Sequence, residues 1–221
     1  MPHSLEQLLY TARQLAGKNL GSLMVQEQST KINNTTSRLT NKGVVGHIIE
    51  AALCLTPNSR PGPDFATLGV EVKGIPVDEA GIPLESTFIC VVQQQLPLNF
   101  VDSLVWKKMT CILWVPYEGD TRMPLAERRI GTPFLWSPDP VTRQMLEQDW
   151  TELTEMMRLG QQASLSAHLG QILQIRPKAL NARIQQQKLS CSGDIISSGP
   201  KGFYLRRNFT CRLFEAVFQN F

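Results

Sequence analysis

The sequence predicts an α/β fold in which a mixed sheet is flanked by helices. Short apolar runs typical of strands recur along the chain, segments with apolar residues at helical spacing lie between them, and clusters of turn-forming residues separate the two kinds of segment. With 221 residues, of which 42% are hydrophobic and 19% charged, the chain can bury a sizeable core. We expect one domain over residues 1–221.

The N-terminal part is predicted to be helical. Ser4 and Gln7 form the pattern of a capping box, and leucines at helical spacing follow as far as Leu15, before Gly17 supplies a stop. Residues 27–41 are rich in Ser, Thr and Asn and indicate a loop. A second helix is expected over residues 42–54, where apolar residues again form a stripe.

Strands are predicted in the middle of the chain. Residues 56–64 are dense in turn formers, and residues 68–75 then alternate as a half-buried strand does. The apolar runs 88–92 and 111–115 favour central strands, and 134–136 a short one.

The C-terminal part mixes both kinds of element. Pro140 is typical of a helix start, so a helix is expected over 141–159, ending at Gly160. Residues 165–175 suit helix or strand; we favour a helix that leads into a short strand over 174–177. An exposed turn between strands is expected over 190–202, a strand over 202–205, and a last helix capped by Asn208 or Thr210.

The charge distribution and the cysteines indicate which partner and which cellular compartment to expect. The net charge is only +3, but the C-terminal end is basic and suited to a polyanion, with eight cations against Asp194 and Glu215. The five cysteines show no zinc-binding spacing and predict free thiols in a reducing compartment. No secretory signal and no run of about eighteen apolar residues is present, so we expect a cytoplasmic protein without a membrane span.

One strand carries residues suited to phosphodiester hydrolysis. Glu71 and Lys73 lie two apart, so they share a face, and Asp64 enters from the preceding turn. Carboxylates hold hard divalent cations, and an ammonium group can assist an attacking water. At roughly 6% for each residue type, this fixed spacing arises by chance in about 5% of chains of this length. A nuclease site and a solvated strand face both remain open on this motif alone.

Four stretches, which span nearly the whole chain in order, resemble the MutH family of strand-discriminating endonucleases of DNA mismatch repair. They are Lys42 to Gly46 with Glu50, Pro63 to Val77, Leu173 to Lys178, and Gly202 to Phe209. The resemblance implies a restriction-endonuclease-like fold of the PD-(D/E)xK type, with a catalytic N-terminal lobe and a GATC-reading C-terminal lobe around a DNA-binding cleft.

The resemblance also implies site residues. Asp64 and Glu71 match the family's metal-binding carboxylates, Glu50 a further acidic residue that helps bind metal, and Lys73 the catalytic lysine. Lys108 resembles another active-site lysine, with the neighbouring Lys107 as the alternative. The expected cofactor is Mg²⁺, as one or two ions.

The DNA-binding residues expected from the same matches are Lys42, Arg176, Pro177, Lys178, Tyr204, Arg206 and Arg207. Arg176, Pro177, Lys178 and Tyr204 are associated with reading GATC and sensing adenine methylation, while Arg206 and Arg207 are better suited to phosphate.

The implied reaction is a nick 5′ to the G of the unmethylated strand at hemimethylated GATC. The implied partners are GATC-containing duplex DNA, the activator MutL and, indirectly, MutS, with the enzyme acting as a monomer. Two alternatives stay open: a restriction endonuclease that cuts both strands of GATC, and a catalytically inactive GATC-binding module.

Overall fold

A computed structural model describes residues 2–28, 41–55, 61–161, 164–165, 168–177, 186–189, 195–198 and 200–219. The elements in chain order are α1 (Leu5–Arg13), α2 (Leu20–Gln28), α3 (Asn41–Ala52), β1 (Glu71–Val77), β2 (Thr87–Val91), α4 (Leu104–Met109), β3 (Ile112–Glu118), β4 (Phe134–Trp136), α5 (Pro140–Arg158), β5 (Leu173–Pro177), β6 (Gln186–Leu189), β7 (Ile195–Ser198), β8 (Lys201–Leu205) and α6 (Arg207–Phe218). The chain divides into two compact units, one formed by Met1–Glu85, Lys108–Ser137 and Phe214–Phe221, and the other by Ser86–Lys107 and Pro138–Leu213.

The first unit contains a mixed sheet in the order β1–β3–β4. β1 runs parallel to β3, with Glu71 opposite Ile112, and β3 runs antiparallel to β4. β3 is therefore the central strand, as its apolar run predicted, and its residues 112–117 are all buried. The α/β class with a mixed sheet and flanking helices is confirmed.

Helix α3 packs closely against β1 in this unit. A Cβ atom at Gly74 would lie 2.8 Å from Cδ1 of Ile49 and 3.9 Å from Cγ1 of Val45, so the missing side chain leaves room for the helix. Val45, Ile48 and Ile49 are buried in one cluster with Val72 of the strand. This packing holds Glu50, the residue after Ile49, beside β1.

The second unit contains an antiparallel sheet in the order β2–β8–β5. Its central strand is β8, whose Phe203 and Leu205 are buried. Residues 88–92 were expected to form a central strand. That prediction was wrong because, among the described strands, β2 pairs with β8 alone and lies at the edge of this sheet. The described strands form three sheets, the third being the pair β6–β7. The mixed sheet expected from the sequence is β1–β3–β4, and the other two sheets were not predicted.

Several helix predictions need correction. The helix favoured over 165–175 is wrong: residues 168–172 form turns and bends, and the strand β5 begins at Leu173. Helices α2 and α4 were not predicted. Helix α6 begins at Arg207, one residue before the proposed Asn208 cap, and Thr210 lies inside it, donating to the carbonyls of Arg206 and Arg207. A strand, β7, lies within the expected turn over 190–202.

Within the described residues, Cys54, Cys90, Cys111 and Cys211 form no disulfide bond, whereas Cys191 lies outside these residues. In the part of the chain that the structure describes, every helix is too short or too polar to cross a bilayer.

Candidate active site

Glu71 is a buried carboxylate at the first position of β1. Its side chain is 2% exposed, and its backbone N–H donates to the carbonyl of Cys111. An ionised group so far from water requires compensating charge and hydrogen bonds. Nζ of Lys73, two residues along the strand, lies 2.7 Å from Oε1 of Glu71. The shared strand face predicted for these two residues is therefore present.

Lys108 supplies a second ammonium group to the same carboxylate. Its Nζ lies 2.9 Å from both Oε1 and Oε2 of Glu71, so the carboxylate is bound by two lysines. Lys108 lies at the end of α4 and is 16% exposed, whereas the side chain of Lys107 is exposed. Lys108, rather than Lys107, is thus the lysine at this site.

Asp64 is brought to the same strand by a tight loop. The backbone of Phe65 pairs with that of Val70, and Gly69 within the loop has φ +66°. This turn reverses the chain so that Oδ2 of Asp64 accepts a 2.8 Å hydrogen bond from the N–H of Val72. The six-residue spacing between Asp64 and Glu71 is the length of this loop, which fixes the carboxylate beside the residues that flank Val72.

Glu50 and His47 lie on α3, one turn apart. Nδ1 of His47 is 3.6 Å from Oε2 of Glu50, whose side chain is 31% exposed. His47 was not among the expected site residues, although its three-residue spacing from Glu50 on a helix predicts this contact.

Glu50, Asp64 and Glu71 form an acidic cluster in the sense that their charges interact: those of Asp64 and Glu71 act on Glu50, and that of Glu71 acts on Asp64. Burial raises the pKa of Asp64, and the nearby charge of Glu71 raises it further, while the hydrogen bond from Val72 and the charge of Lys73 oppose the rise. Burial likewise raises the pKa of Glu50, with Asp64 as the second cause. Two lysines therefore leave part of the negative charge uncompensated.

This donor set fits a hard divalent cation. Among the residues that the structure describes, no three His, Cys, Asp or Glu side chains converge as a metal-binding group. Asp64 and Glu71 nevertheless both have carboxylate oxygens at the start of β1. Mg²⁺ commonly binds only one or two carboxylates in proteins and keeps several water ligands. A bound cation would also offset the charge of Glu71, which after burial is the second cause of the raised pKa of Asp64.

A separate group in the second unit contains two of the expected DNA-reading residues. The guanidinium of Arg176, on β5, lies 5.8 Å from the ring centroid of Tyr204, on the adjacent strand β8. Nη1 of Arg176 donates to Oγ of Ser86 at 2.6 Å. Phe88 packs edge-on against Tyr204, with centroids 5.2 Å apart. Ser86 and Phe88 were not anticipated, because both contacts join residues far apart in the sequence.

The other expected DNA contacts are placed as follows. Pro177 is exposed at the end of β5, and Arg207 is exposed at the start of α6. Arg206 points into the protein: Nη2 donates to the carbonyl of Leu169, and Nε is buried with no acceptor among the described residues. This position suits a structural role better than the phosphate contact expected. The side chain of Lys42 and all of Lys178 lie outside the described residues.

Comparison with known proteins identifies the family. Residues 53–149 match the family model described as "MutH: DNA mismatch repair enzyme MutH". The chain is 41% identical over 223 residues to the DNA mismatch repair protein MutH of Shewanella baltica (strain OS185), covering 98% of this chain and 97% of that protein. It is 40% identical, with the same coverage, to the proteins of the same name from Shewanella oneidensis and from Shewanella sp. (strain MR-4).

These matches, which include the acid–lysine site on β1, place this α/β protein in the class of DNA mismatch repair enzymes. Within that class, the chain belongs to the MutH family, as the sequence resemblance predicted.

Proposed function

We propose that this chain is a Mg²⁺-dependent DNA endonuclease that nicks the unmethylated strand of hemimethylated GATC sites, 5′ to the G. The observation that carries the proposal is the clustering of Asp64, Glu71, Lys73 and Lys108 around the start of β1. We further propose a restriction-endonuclease-like fold, with Asp64 and Glu71 as the metal ligands and Glu50 as a further acidic residue that helps to bind the metal.

The lysines hold Glu71 in a fixed position. Each of its oxygens accepts from Lys108, and Oε1 also accepts from Lys73, so the carboxylate cannot rotate freely. Asp64 is restrained in the same way by the N–H of Val72. Such preorganisation means that the oxygen donors need not reorient when the cation and the DNA bind.

Lys73 is proposed to act on the attacking water. An ammonium group has three N–H donors, and Glu71 uses one of them at 2.7 Å. The remaining donors can orient a water or stabilise negative charge on the phosphate. Bound Mg²⁺ supplies Lewis-acid stabilisation of that charge and makes a coordinated water more acidic. Attack of the water oxygen on phosphorus breaks the bond from phosphorus to O3′. The attacking water gives up a proton, the departing O3′ takes up a proton, and the products are a 5′-phosphate and a 3′-hydroxyl.

Arg176 and Tyr204 are proposed to read the site. Arginine can donate two hydrogen bonds to O6 and N7 of guanine, and the N6-methyl group of adenine projects into the same major groove. Ser86 and the Tyr204 ring restrain the Arg176 guanidinium, which reduces the entropy lost when it binds a base. Tyr204 supplies a ring against which an added methyl group can be sensed. Pro177 and Lys178 are proposed to assist, and Lys42 and Arg207 to contact DNA.

The proposed partners are duplex DNA containing GATC and the activator MutL, which acts after MutS detects a mismatch. We propose that the protein works as a monomer in the cytoplasm.

A plasmid assay tests the proposal. Hemimethylated plasmid carrying one GATC site is incubated with the protein, with MutL and ATP, and with either MgCl₂ or EDTA. We expect open-circular product with MgCl₂ only, with the nick mapped 5′ to the G of the unmethylated strand. Unmethylated and fully methylated plasmids serve as the matched substrates.

Two other results of the plasmid assay would contradict the proposal and favour a different function. Linear product from a single encounter would indicate a restriction endonuclease that cuts both strands. Tight binding to GATC without any cutting, in the presence of MutL and MgCl₂, would indicate a non-catalytic binding module.

A further inference from the structure

Asp149 is a buried acidic residue that the mechanism above does not use. It lies on α5, and its side chain is 1% exposed. Its Oδ1 accepts from the N–H of Gln171 at 2.8 Å, and its Oδ2 accepts from those of Ile172 and Leu173 at 2.7 and 2.8 Å. Three consecutive backbone amides thus close around one carboxylate, which satisfies both the buried charge and the amides.

The chain at this point is shaped to fit the carboxylate. Gly170 has φ +81°, and a Cβ atom there would lie 2.0 Å from the carbonyl oxygen of Leu173 and 3.3 Å from Cγ of Asp149. Only glycine therefore permits the turn that wraps round Asp149. The turn leads directly into β5, whose first residue is Leu173.

The same turn is also fixed to β8. The N–H of Arg206 donates to the carbonyl of Ile172, and Nη2 of Arg206 donates to that of Leu169, both at 2.8 Å. Leu173 pairs with Leu205, Gln174 with Tyr204, and Arg176 with Gly202 in the register of the two strands. The position of Arg176 beside Tyr204 is therefore set by how β5 begins.

We infer that Asp149 is a positioning residue for sequence reading: it anchors the start of β5 and thereby fixes Arg176 against Tyr204 and Ser86. This inference rests on the proposed function, in which Arg176 and Tyr204 contact the GATC bases. Asp149 affects specificity through β5, because Arg176 lies on this strand three residues after Leu173, whose amide donates to Asp149.

The test compares nicking of two duplexes by wild type, Asp149→Asn and a control variant. One duplex contains hemimethylated GATC and the other differs from it by one base pair in the site. Asparagine has nearly the same shape, but it offers one acceptor oxygen in place of two, so at least one of the three amides loses its partner. The control is Leu153→Ala, which truncates a buried side chain on the same helix and forms none of these hydrogen bonds.

For Asp149→Asn we expect the ratio of kcat/KM between the two duplexes to fall by about tenfold, the scale of one lost bidentate base contact. We expect its affinity for DNA without GATC to stay unchanged. Hydrogen exchange at the amides of Ile172 and Leu173 should become faster. Leu153→Ala should keep the wild-type ratio even where its stability is lower.

An unchanged ratio for Asp149→Asn, or an equal fall for Leu153→Ala, would overturn the positioning role and leave the proposed function intact. If wild type itself does not distinguish the two duplexes, the proposed function fails and the inference fails with it. The exchange measurement tests the anchoring separately: unchanged exchange at Ile172 and Leu173 would contradict it whatever the cutting assay gives.

Discussion

Nζ of Lys108 lies 2.9 Å from both carboxylate oxygens of Glu71, although 37 residues separate the two in the sequence. Because Glu71 is 2% exposed, Lys108 is also part of what allows a charged group to be buried at the start of β1. The contacts between Glu71 and its lysines therefore contribute to the stability of the fold as well as to the proposed catalysis.

Removing one of the two lysines is expected to destabilise the fold. Lys108→Ala leaves Glu71 with Lys73 alone, so we expect the free energy of unfolding to fall by about 1–3 kcal/mol, the scale for a buried charged group that loses a partner. Urea denaturation measures this change. The matched control is Lys107→Ala, the exposed neighbour, which should stay within about 0.5 kcal/mol of wild type. Equal stability for the two variants would contradict the assigned contact.

Neutralising Glu50 should have the opposite effect on stability. Burial and the charge of Asp64 raise the pKa of Glu50 above 4.5, so the folded protein disfavours its ionised form. In the absence of Mg²⁺ at neutral pH, Glu50→Gln is expected to be more stable than wild type, by no more than about 1 kcal/mol.

The pH dependence of this difference follows from the sign of the shift. A raised pKa in the folded state means that the folded protein holds the proton more tightly than the unfolded chain does. The stability of wild type relative to Glu50→Gln should therefore fall as the pH rises from 4.5 through the folded-state pKa, and the gap should close below pH 4.5. Thermal melts at several pH values provide the measurement, and a gap that widens in acid would refute the electrostatic explanation.

Bound Mg²⁺ should offset the loss of folding stability caused by the buried carboxylates of the acidic cluster. A cation that binds only the folded state raises stability, and at about 100 times its Kd the gain is about 2.7 kcal/mol. We expect MgCl₂ to raise the melting temperature of wild type, and to raise that of Asp64→Asn much less. Calcium chloride and sodium chloride at matched ionic strength are the controls. An equal response of Asp64→Asn would exclude Asp64 as a ligand.

The backbone conformation of Cys54 leads to a prediction about stability that does not depend on the proposed catalytic activity. It follows α3 with φ +59°, and the N–H of Leu55 donates back to the carbonyl of Glu50, the arrangement that usually has glycine at this position. The left-handed conformation costs a residue with Cβ about 1–2 kcal/mol, and the greater freedom of glycine in the unfolded chain offsets up to about 1 kcal/mol. Cys54→Gly should therefore raise stability by about 0.5–1 kcal/mol in urea denaturation. A loss of stability would show that the thiol makes a compensating contact.

Arg176 should determine specificity, whereas Arg207 should affect only affinity. Arg176→Lys keeps the charge but loses the planar fork, so discrimination between GATC and a one-base variant should fall by about 1–3 kcal/mol. Arg207→Ala should weaken binding to all duplexes alike and reduce the salt dependence of binding. Competition binding with the two duplexes at several salt concentrations separates the effects. A sequence-dependent loss for Arg207→Ala would reverse the two roles.

Local patterns predicted those parts of the molecule that depend on neighbours in the sequence. The alternation that put Glu71 and Lys73 on one face depends only on strand geometry. The helix α5 was predicted from residues near its ends, Pro140 and Gly160, and the structure adds Asp139 as its N-cap, which accepts a hydrogen bond from the N–H of Thr142.

Elements that depend on distant contacts were not predictable in the same way. Helices α2 and α4 are short, and short helices owe their stability to packing rather than to their own sequence. Their capping residues, Asn19 and Ser103, were readable but were not distinctive among so many polar residues. The apolar segment over residues 165–175 suited either a helix or a strand. Pairing with β8 and anchoring by Asp149 make its last residues, from Leu173, extended.

The single-turnover rate of nicking by Lys73→Ala, with enzyme in excess over a hemimethylated GATC duplex and with MgCl₂ and MutL present, tests the central claim most directly. The acid–lysine cluster on β1 predicts a rate at least about 100-fold below wild type, the lower range for loss of a group that assists proton transfer or charge stabilisation. It also predicts that affinity for the duplex is nearly unchanged. Nicking at the wild-type rate by this variant would contradict a catalytic role for the cluster.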